Sequence, residues 1–221
     1  MAASWGLLAL LFVCAFLLGS IPWGVIVSKL AFRKDIRDEG SGNIGATNAL
    51  RAMGKCGGAS VFLLDAAKGV AAGALGCLLW PHWVDAAALD VLDARALCGA
   101  VALWGCVWGH IFCPWLKFKG GKGISVAFGC LFFTLGPLGA LIELGVFIVF
   151  VAATRYVSLG SIMAAVALVP LAVWMLWGSW AAIVLCVLAA VTVIWAHRGN
   201  ISRIAHGTES KLSFKKKGAQ A

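Results

Sequence analysis

Three short polar stretches hold most of the residues in this chain that could grip an anion. The first runs from Asp38 to Asn48, with Arg51 just beyond, and sets Ser41, Asn43, Thr47 and Asn48 among Gly40, Gly42 and Gly45. The second, Lys117 to Gly123, contains the unbroken run Lys119, Gly120, Gly121, Lys122 and Gly123. The third, His197 to Arg203, supplies His197, Asn200 and Arg203. Glycine lets backbone approach a ligand closely, amides and hydroxyls exchange hydrogen bonds, and arginine adds a charged fork. Together these groups suit a phosphate.

Each stretch also has a plainer reading. The first could be a solvated loop with a helix cap, and the second a basic loop touching anionic headgroups. The third could be an interfacial histidine. Compression of hydroxyls, amides and arginine into about a dozen positions favours a ligand in the first, where Arg51 would follow a helix start at Thr47 or Asn48. In the second, successive N–H groups ahead of a helix at Ile124 could form an anion nest, an even match for the headgroup reading. It is not an ATP-binding loop: Lys122 is followed by Gly123, and Leu116 stands where the leading glycine would be. In the third, a helix continuing out of the last apolar run would make His197 and Asn200 neighbours, and Asn200 and Arg203 likewise.

The elements that must position these residues are apolar. With 62% hydrophobic residues and a mean hydropathy of +0.96, the 221-residue chain is unsuited to an ordinary soluble domain. The net charge of +9 sits in short loops between apolar runs, which marks topology rather than a nucleic-acid surface. Eight cysteines lie mostly within those runs without metal-ligand spacing, so neither a metal nor a cofactor is expected. Residues 1–210 read as one membrane-embedded domain and 211–221 as a disordered basic tail on the cytoplasmic side. The first run, Trp5 to Leu30, exceeds a signal-peptide core and should remain as a span.

Spans are expected at 5–30, 59–80, 96–113, 124–136, 138–154, 158–177 and 179–196. The apolar run 124–154 is long for one crossing and short for two. Charge decides. Two crossings put Arg33, Lys34, Arg37, Arg51, Lys55, Lys117, Lys119, Lys122, Arg155 and the basic tail on one side. Only Arg95 then remains opposite, beside Asp85, Asp90 and Asp93. The expected fold is therefore all-α with seven transmembrane helices, the amino terminus outside and the carboxyl terminus cytoplasmic. Gly136-Pro137 would turn between two short or tilted helices, over locally thinned bilayer. Trp80, Trp83, Trp174, Trp177 and Trp180 fall at outer ends and read as an aromatic belt.

Some polar residues lie within or at the ends of spans. Asp65 and Lys68, three apart, would each cost about 3 kcal/mol unpaired near the bilayer centre, so they pair or face a polar interior. An ion pair orienting helices is at least as good a reading as substrate contact. Glu143 pairs with Lys68 or sits protonated. His110 binds substrate or caps its helix, and Ser158 and Ser161 donate to an anion or bond back to their helix.

Taken together, the motifs resemble the bacterial membrane glycerol-3-phosphate acyltransferases of the PlsY type. The matching segments are Gly19-Ser20-Ile21-Pro22, GSGNIGATNALR at 40–51, Asp65-Ala66-Ala67-Lys68-Gly69, Gly109-His110-Ile111-Phe112 with KFKGGKG at 117–123, and His197-Arg198-Gly199-Asn200-Ile201 with Arg203, Gly207 and Glu209. They occur in order along nearly the whole chain. Cys113, between Phe112 and Pro114, departs from the family spacing. The resemblance implies a seven-helix enzyme of the bacterial inner membrane, its active site facing the cytoplasm. It would transfer an acyl chain from acyl phosphate to the 1-hydroxyl of glycerol 3-phosphate, releasing lysophosphatidate and phosphate. It also implies catalytic roles for Ser41, Arg51, His197 and Asn200, and a phosphate loop at Gly120, Gly121, Lys122 and Gly123. Asn43, Thr47, Asn48, Lys68, His110, Lys119, Ser158, Ser161 and Arg203 are the further candidates for substrate binding. The partners are the two substrates and membrane lipid, with no nucleic acid; oligomeric state stays open. No histidine has aspartate five residues on, so the HxxxxD chemistry of other glycerolipid acyltransferases is absent. A transporter of phosphorylated solutes is the alternative, but it should carry its ligand groups near the midplane and show internal repeats.

Overall fold

A computed structural model describes residues 2–85, 87 and 93–212. Helices α1 (Ala2–Gly19) and α2 (Trp23–Phe32) are separated at Ser20–Pro22, so the expected single first span is a broken one. Proline has no N–H to give the helix, which accounts for the break. Next come α3 (Ala46–Ala74), a π-helical turn (Leu75–Leu79) and a 3-10 turn (Trp80–His82). Then follow α4 (Ala94–Ile111), α5 (Ile124–Thr134), α6 (Gly136–Thr154), α7 (Val157–Met175), α8 (Trp180–Ala196) and α9 (Arg198–Ala205).

Among the described residues, five helical stretches are long and apolar enough to cross a membrane, or six if the α8–α9 pair, bent by 53°, is taken as one. Helix α5, with 11 residues, falls short of a full crossing. The division of 124–154 at Gly136-Pro137 is present: Gly136 adopts φ +75° and α6 starts there. Asp90, expected on the outer side, lies outside the described residues, as does the tail from 213 onward. Asp93 caps α4 through the N–H groups of Arg95 and Ala96 (2.8 and 3.1 Å).

Helix α4 occupies the centre, packed by α1, α3, α5 and α8, and its inner faces contribute Leu103 and Val107 to the core. Two helices that carry site residues, α3 and α5, approach through glycine. A Cβ at Gly69 would stand 2.1 Å from the Val126 carbonyl oxygen, and one at Gly129 would stand 2.0 Å from that of Ala66. Such close backbone contact is what holds helices together where lipid offers no hydrophobic drive.

Helix α3 begins 13 residues earlier than the expected span and bends at Gly54 (φ 71°, ψ −168°). The bend frees the Ala52 carbonyl, which accepts a hydrogen bond from Lys34 Nζ. The arm before the bend carries Thr47, Asn48 and Arg51.

Candidate active site

The loop ahead of α3 is shaped by its own polar residues. Asp35 takes a two-pronged contact from Arg37 (2.9 and 2.6 Å), which holds its carboxyl well below the usual carboxylate range. Asn48 is the hub. Its Nδ2 donates to the carbonyls of Ile36 (3.2 Å), Glu39 (2.9 Å) and Asn43 (2.8 Å), while its Oδ1 accepts from the Ser41 N–H (3.0 Å). Asn43 Oδ1 accepts from the Gly45 N–H (2.9 Å). These amides build the loop, which leaves the exposed Ser41 and Arg51 and the half-buried Thr47 facing outward from it.

The glycine loop differs from the nest expected of it. The Gly120 N–H donates to the Ile111 carbonyl and the Gly121 N–H to that of His110, both at 3.0 Å. Side chains are impossible here: a Cβ on Gly120 would lie 2.0 Å from the His110 carbonyl oxygen, and one on Gly121 2.0 Å from His110 Nε2. The N–H groups left for a ligand are those opening α5, which have no acceptor within the helix. Lys119 is exposed, and Lys119, Gly120, Gly121 and Lys68 do not line the cleft described below.

Behind the loop lies a buried polar cluster. Lys68 Nζ donates to the Ile21 carbonyl (2.7 Å) and to His110 Nδ1 (3.0 Å), and pairs with Asp65 Oδ1 (2.8 Å) outside hydrogen-bond alignment. Two hydrogen bonds and one ion pair thus engage Lys68, and among the described contacts none joins it to Glu143. An ammonium can only donate, so His110 Nδ1 accepts and the ring proton belongs on Nε2, beside Gly121.

The bend after α8 places the third motif. His197 stands at the bend, not within a continuous helix, and its Nδ1 lies 2.8 Å from the Val193 carbonyl. A carbonyl only accepts, so Nδ1 carries the proton and Nε2 is free to accept. Just beyond the apolar helix, burial pushes the His197 imidazole down to about 4. Asn200 accepts from Lys122 Nζ through Oδ1 and donates through Nδ2 to Glu209 Oε1 (2.8 Å). Ser158 Oγ donates to the same oxygen (2.8 Å), and Arg203 Nε to Oε2 (2.7 Å). Ser161 instead bonds back to the Val157 carbonyl (3.0 Å).

Glu209 is the organising residue that motif reasoning left out of the site. It comes from the segment after α9, which folds back across the cleft. There Arg51 Nη2 donates to the Ser210 carbonyl (3.3 Å) and the Leu212 N–H to that of Arg155 (2.7 Å). Burial raises the Glu209 carboxyl, but hydrogen bonds from Asn200, Arg203 and Ser158 outweigh it and hold the group below its ordinary value. Its place in the matching motif was the signal available in the sequence.

Ser41, Asn43, Thr47, Asn48 and Arg51 meet Lys122 and Gly123 along one cleft of about 1410 Å³, its open mouth included. His110, Ser158, Ser161, His197, Asn200 and Arg203 line it as well. Lys122 is pushed down to about 8, first by burial and then by Arg203 and Arg51, with Glu209 acting in the opposite sense. Cations from three separate segments therefore feel one another, with Glu209 the carboxylate set against them at Lys122, and an anion would relieve the excess. The cleft continues into an apolar slot walled by Phe62, Phe128, Leu131, Phe147, Leu168 and Val193. Among the described residues no three His, Cys, Asp or Glu side chains gather within reach of a metal ion.

A family model described as glycerol-3-phosphate acyltransferase matches residues 9–207. A glycerol-3-phosphate acyltransferase of Trichlorobacter lovleyi is 43% identical, covering 90% of this chain and 94% of its own. One from Bacillus subtilis is 40% identical, covering 94% and 99%. A crystal structure of PlsY, an integral membrane glycerol 3-phosphate acyltransferase, in its glycerol 3-phosphate form, superposes with a TM-score of 0.78. It shares 31% identity over 93% of this chain and 96% of that one. The lysophosphatidic acid form of the same enzyme gives a TM-score of 0.75 at 30% identity, covering 93% and 95%. The chain belongs to the glycerol-3-phosphate acyltransferase family.

Proposed function

We propose that this protein transfers an acyl chain from acyl phosphate to the 1-hydroxyl of glycerol 3-phosphate, giving lysophosphatidate and inorganic phosphate. The observation that carries this is one cleft with cations and polar groups at its mouth and a hydrocarbon-like slot behind them. Two phosphorylated molecules, one with a long alkyl chain, have the matching shape and charge.

Arg51, Lys122 and Arg203 hold phosphate groups, supported by Ser41, Thr47 and the N–H groups opening α5. Asn200 fixes Lys122, and Glu209 fixes Asn200, Ser158 and Arg203. His110 presents Nε2–H to the same space. His197 Nε2 accepts a hydrogen bond from the glycerol hydroxyl, keeping its proton state unchanged, and so turns the oxygen toward the acyl carbonyl carbon. That oxygen then forms the ester bond, and the C–O bond to phosphate breaks with its electron pair leaving on phosphate. With its imidazole held at about 4, His197 is a weak proton acceptor near neutrality. The hydroxyl proton therefore passes to the departing phosphate. Acyl phosphate is already activated, so positioning and charge compensation are the enzyme's main contributions.

In the same reading the helices make seven crossings of the bacterial inner membrane, with α5 a short one. The amino terminus is outside, and the carboxyl terminus and cleft face the cytoplasm. The distribution of lysine and arginine supports this orientation. Residues 1–210 then act as one catalytic domain with 211–221 as a basic tail.

The decisive experiment is to incubate the detergent-purified protein with acyl phosphate and radiolabelled glycerol 3-phosphate. Lysophosphatidate and phosphate should appear in equal amounts. Folded protein that makes neither would refute the reading. Movement of glycerol 3-phosphate into proteoliposomes without acylation would favour the transporter.

A further inference from the structure

Glu143 is a carboxyl in the wrong surroundings. It projects from α6 into the apolar part of the cleft, is only 5% exposed, and its Oε1 has no hydrogen-bond partner. Lys68, the nearest sequence candidate for a counter-ion, is already engaged by Asp65, Ile21 and His110. Glu143 precedes Arg155 by twelve residues, which places it about 18 Å along α6 from the turn beside Ser158. Leu168, eleven residues beyond Val157 on α7, lies at a similar depth and lines the same slot. Glu143 is thus remote from the phosphate end, where a long acyl chain finishes and a short one never arrives.

We propose that Glu143 is an acyl-selectivity residue, which disfavours saturated chains long enough to cover it and favours chains that end short of it or carry a hydroxyl there. This rests on the acyl-transfer reading above. The physical reason is partner loss. Methylene groups that cover the carboxyl remove its remaining water and offer no hydrogen bond, whereas a hydroxyl replaces one. A site with a buried polar group discriminates strongly against a ligand that leaves it unpaired.

The test compares wild type, E143Q and E143L, each purified in detergent and checked by elution profile and thermal melting. Each is assayed with glycerol 3-phosphate and saturated acyl phosphates from short to long, plus a long chain ending in a hydroxyl. E143L should raise the long-to-short ratio of kcat/KM roughly tenfold, and E143Q, equally large and polar, should stay within about threefold of wild type. The advantage of the terminal hydroxyl should vanish in E143L. Identical chain-length profiles for wild type and E143L overturn the proposal, as does a shift in E143Q as large as that in E143L. If folded wild type converts no acyl phosphate of any length, the acyl-transfer reading fails and this proposal falls with it.

Discussion

Replacing Glu209 by glutamine tests the organisation of the cleft most directly. The amide keeps the size of the side chain and one acceptor oxygen, so the bonds from Asn200 and Ser158 to Oε1 can survive. The contact at Oε2 cannot, because Arg203 Nε would face an NH2 group instead of an oxygen. A hydrogen bond to a charged group contributes about 1.5–3 kcal/mol, which is roughly 10- to 150-fold in kcat/KM. Arg203 is 46% exposed on its side chain, so solvent screening favours the lower end, roughly tenfold. There is a second consequence. Glu209 opposes the downward push on Lys122, so without it Lys122 should lose its proton below pH 8. The assay is kcat/KM for glycerol 3-phosphate across pH, with R203M and the double variant alongside. The effects of the two substitutions should fall well short of additive, since both break one contact. A kcat/KM within about threefold of wild type, with the alkaline limb unmoved, would refute this view of Glu209.

Other outcomes follow from the same geometry. Lys122, held at about 8, is charged below that pH and neutral above it, so kcat/KM should fall as pH rises through about 8. K122R should remove that limb, and a limb retained in K122R would assign it elsewhere. His197 positions more than it deprotonates, so H197N should raise KM for glycerol 3-phosphate about tenfold with a smaller change in kcat; a fall in kcat alone would make it the base. G121A drives a methyl into His110 Nε2 and should destabilise the protein by about 1–3 kcal/mol, seen as a lowered thermal midpoint. G145A meets nothing within 4 Å and should leave that midpoint nearly unchanged.

Much of this was readable from the chain alone, and the limits have physical causes. Hydropathy and glycine placement located the polar stretches, because crossing lipid and approaching a ligand both constrain composition locally. The division at Gly136-Pro137 followed from the length of the apolar run, the placing of charge around it and the Gly-Pro pair itself. Bends were harder. Neither Pro22 nor Gly54 was read as a break: an apolar run conceals one when both halves remain in lipid, and Gly54 lay in a stretch assigned to a loop. The N–H groups of Gly120 and Gly121 were expected to face a ligand, and they face the end of α4. That partner lies outside the motif's own sequence, so spacing within the motif could not reveal it. Glu209 was obscured for a related reason: its value depends on a segment folding back to meet Ser158, fifty-one residues earlier. Asn48 shows the converse, since a polar residue in a ligand-like loop can have every bonding atom committed to that loop.

The cleft draws its charges from segments that begin at Ser41 and end at Glu209, with the glycine loop between them. A substrate seated there is consequently a tie between the early and late parts of the polypeptide. Prising the bundle open would first require the substrate to leave, so occupancy resists unfolding in proportion to the logarithm of its concentration. A cell rich in lipid precursors would thereby preserve the enzyme that consumes them.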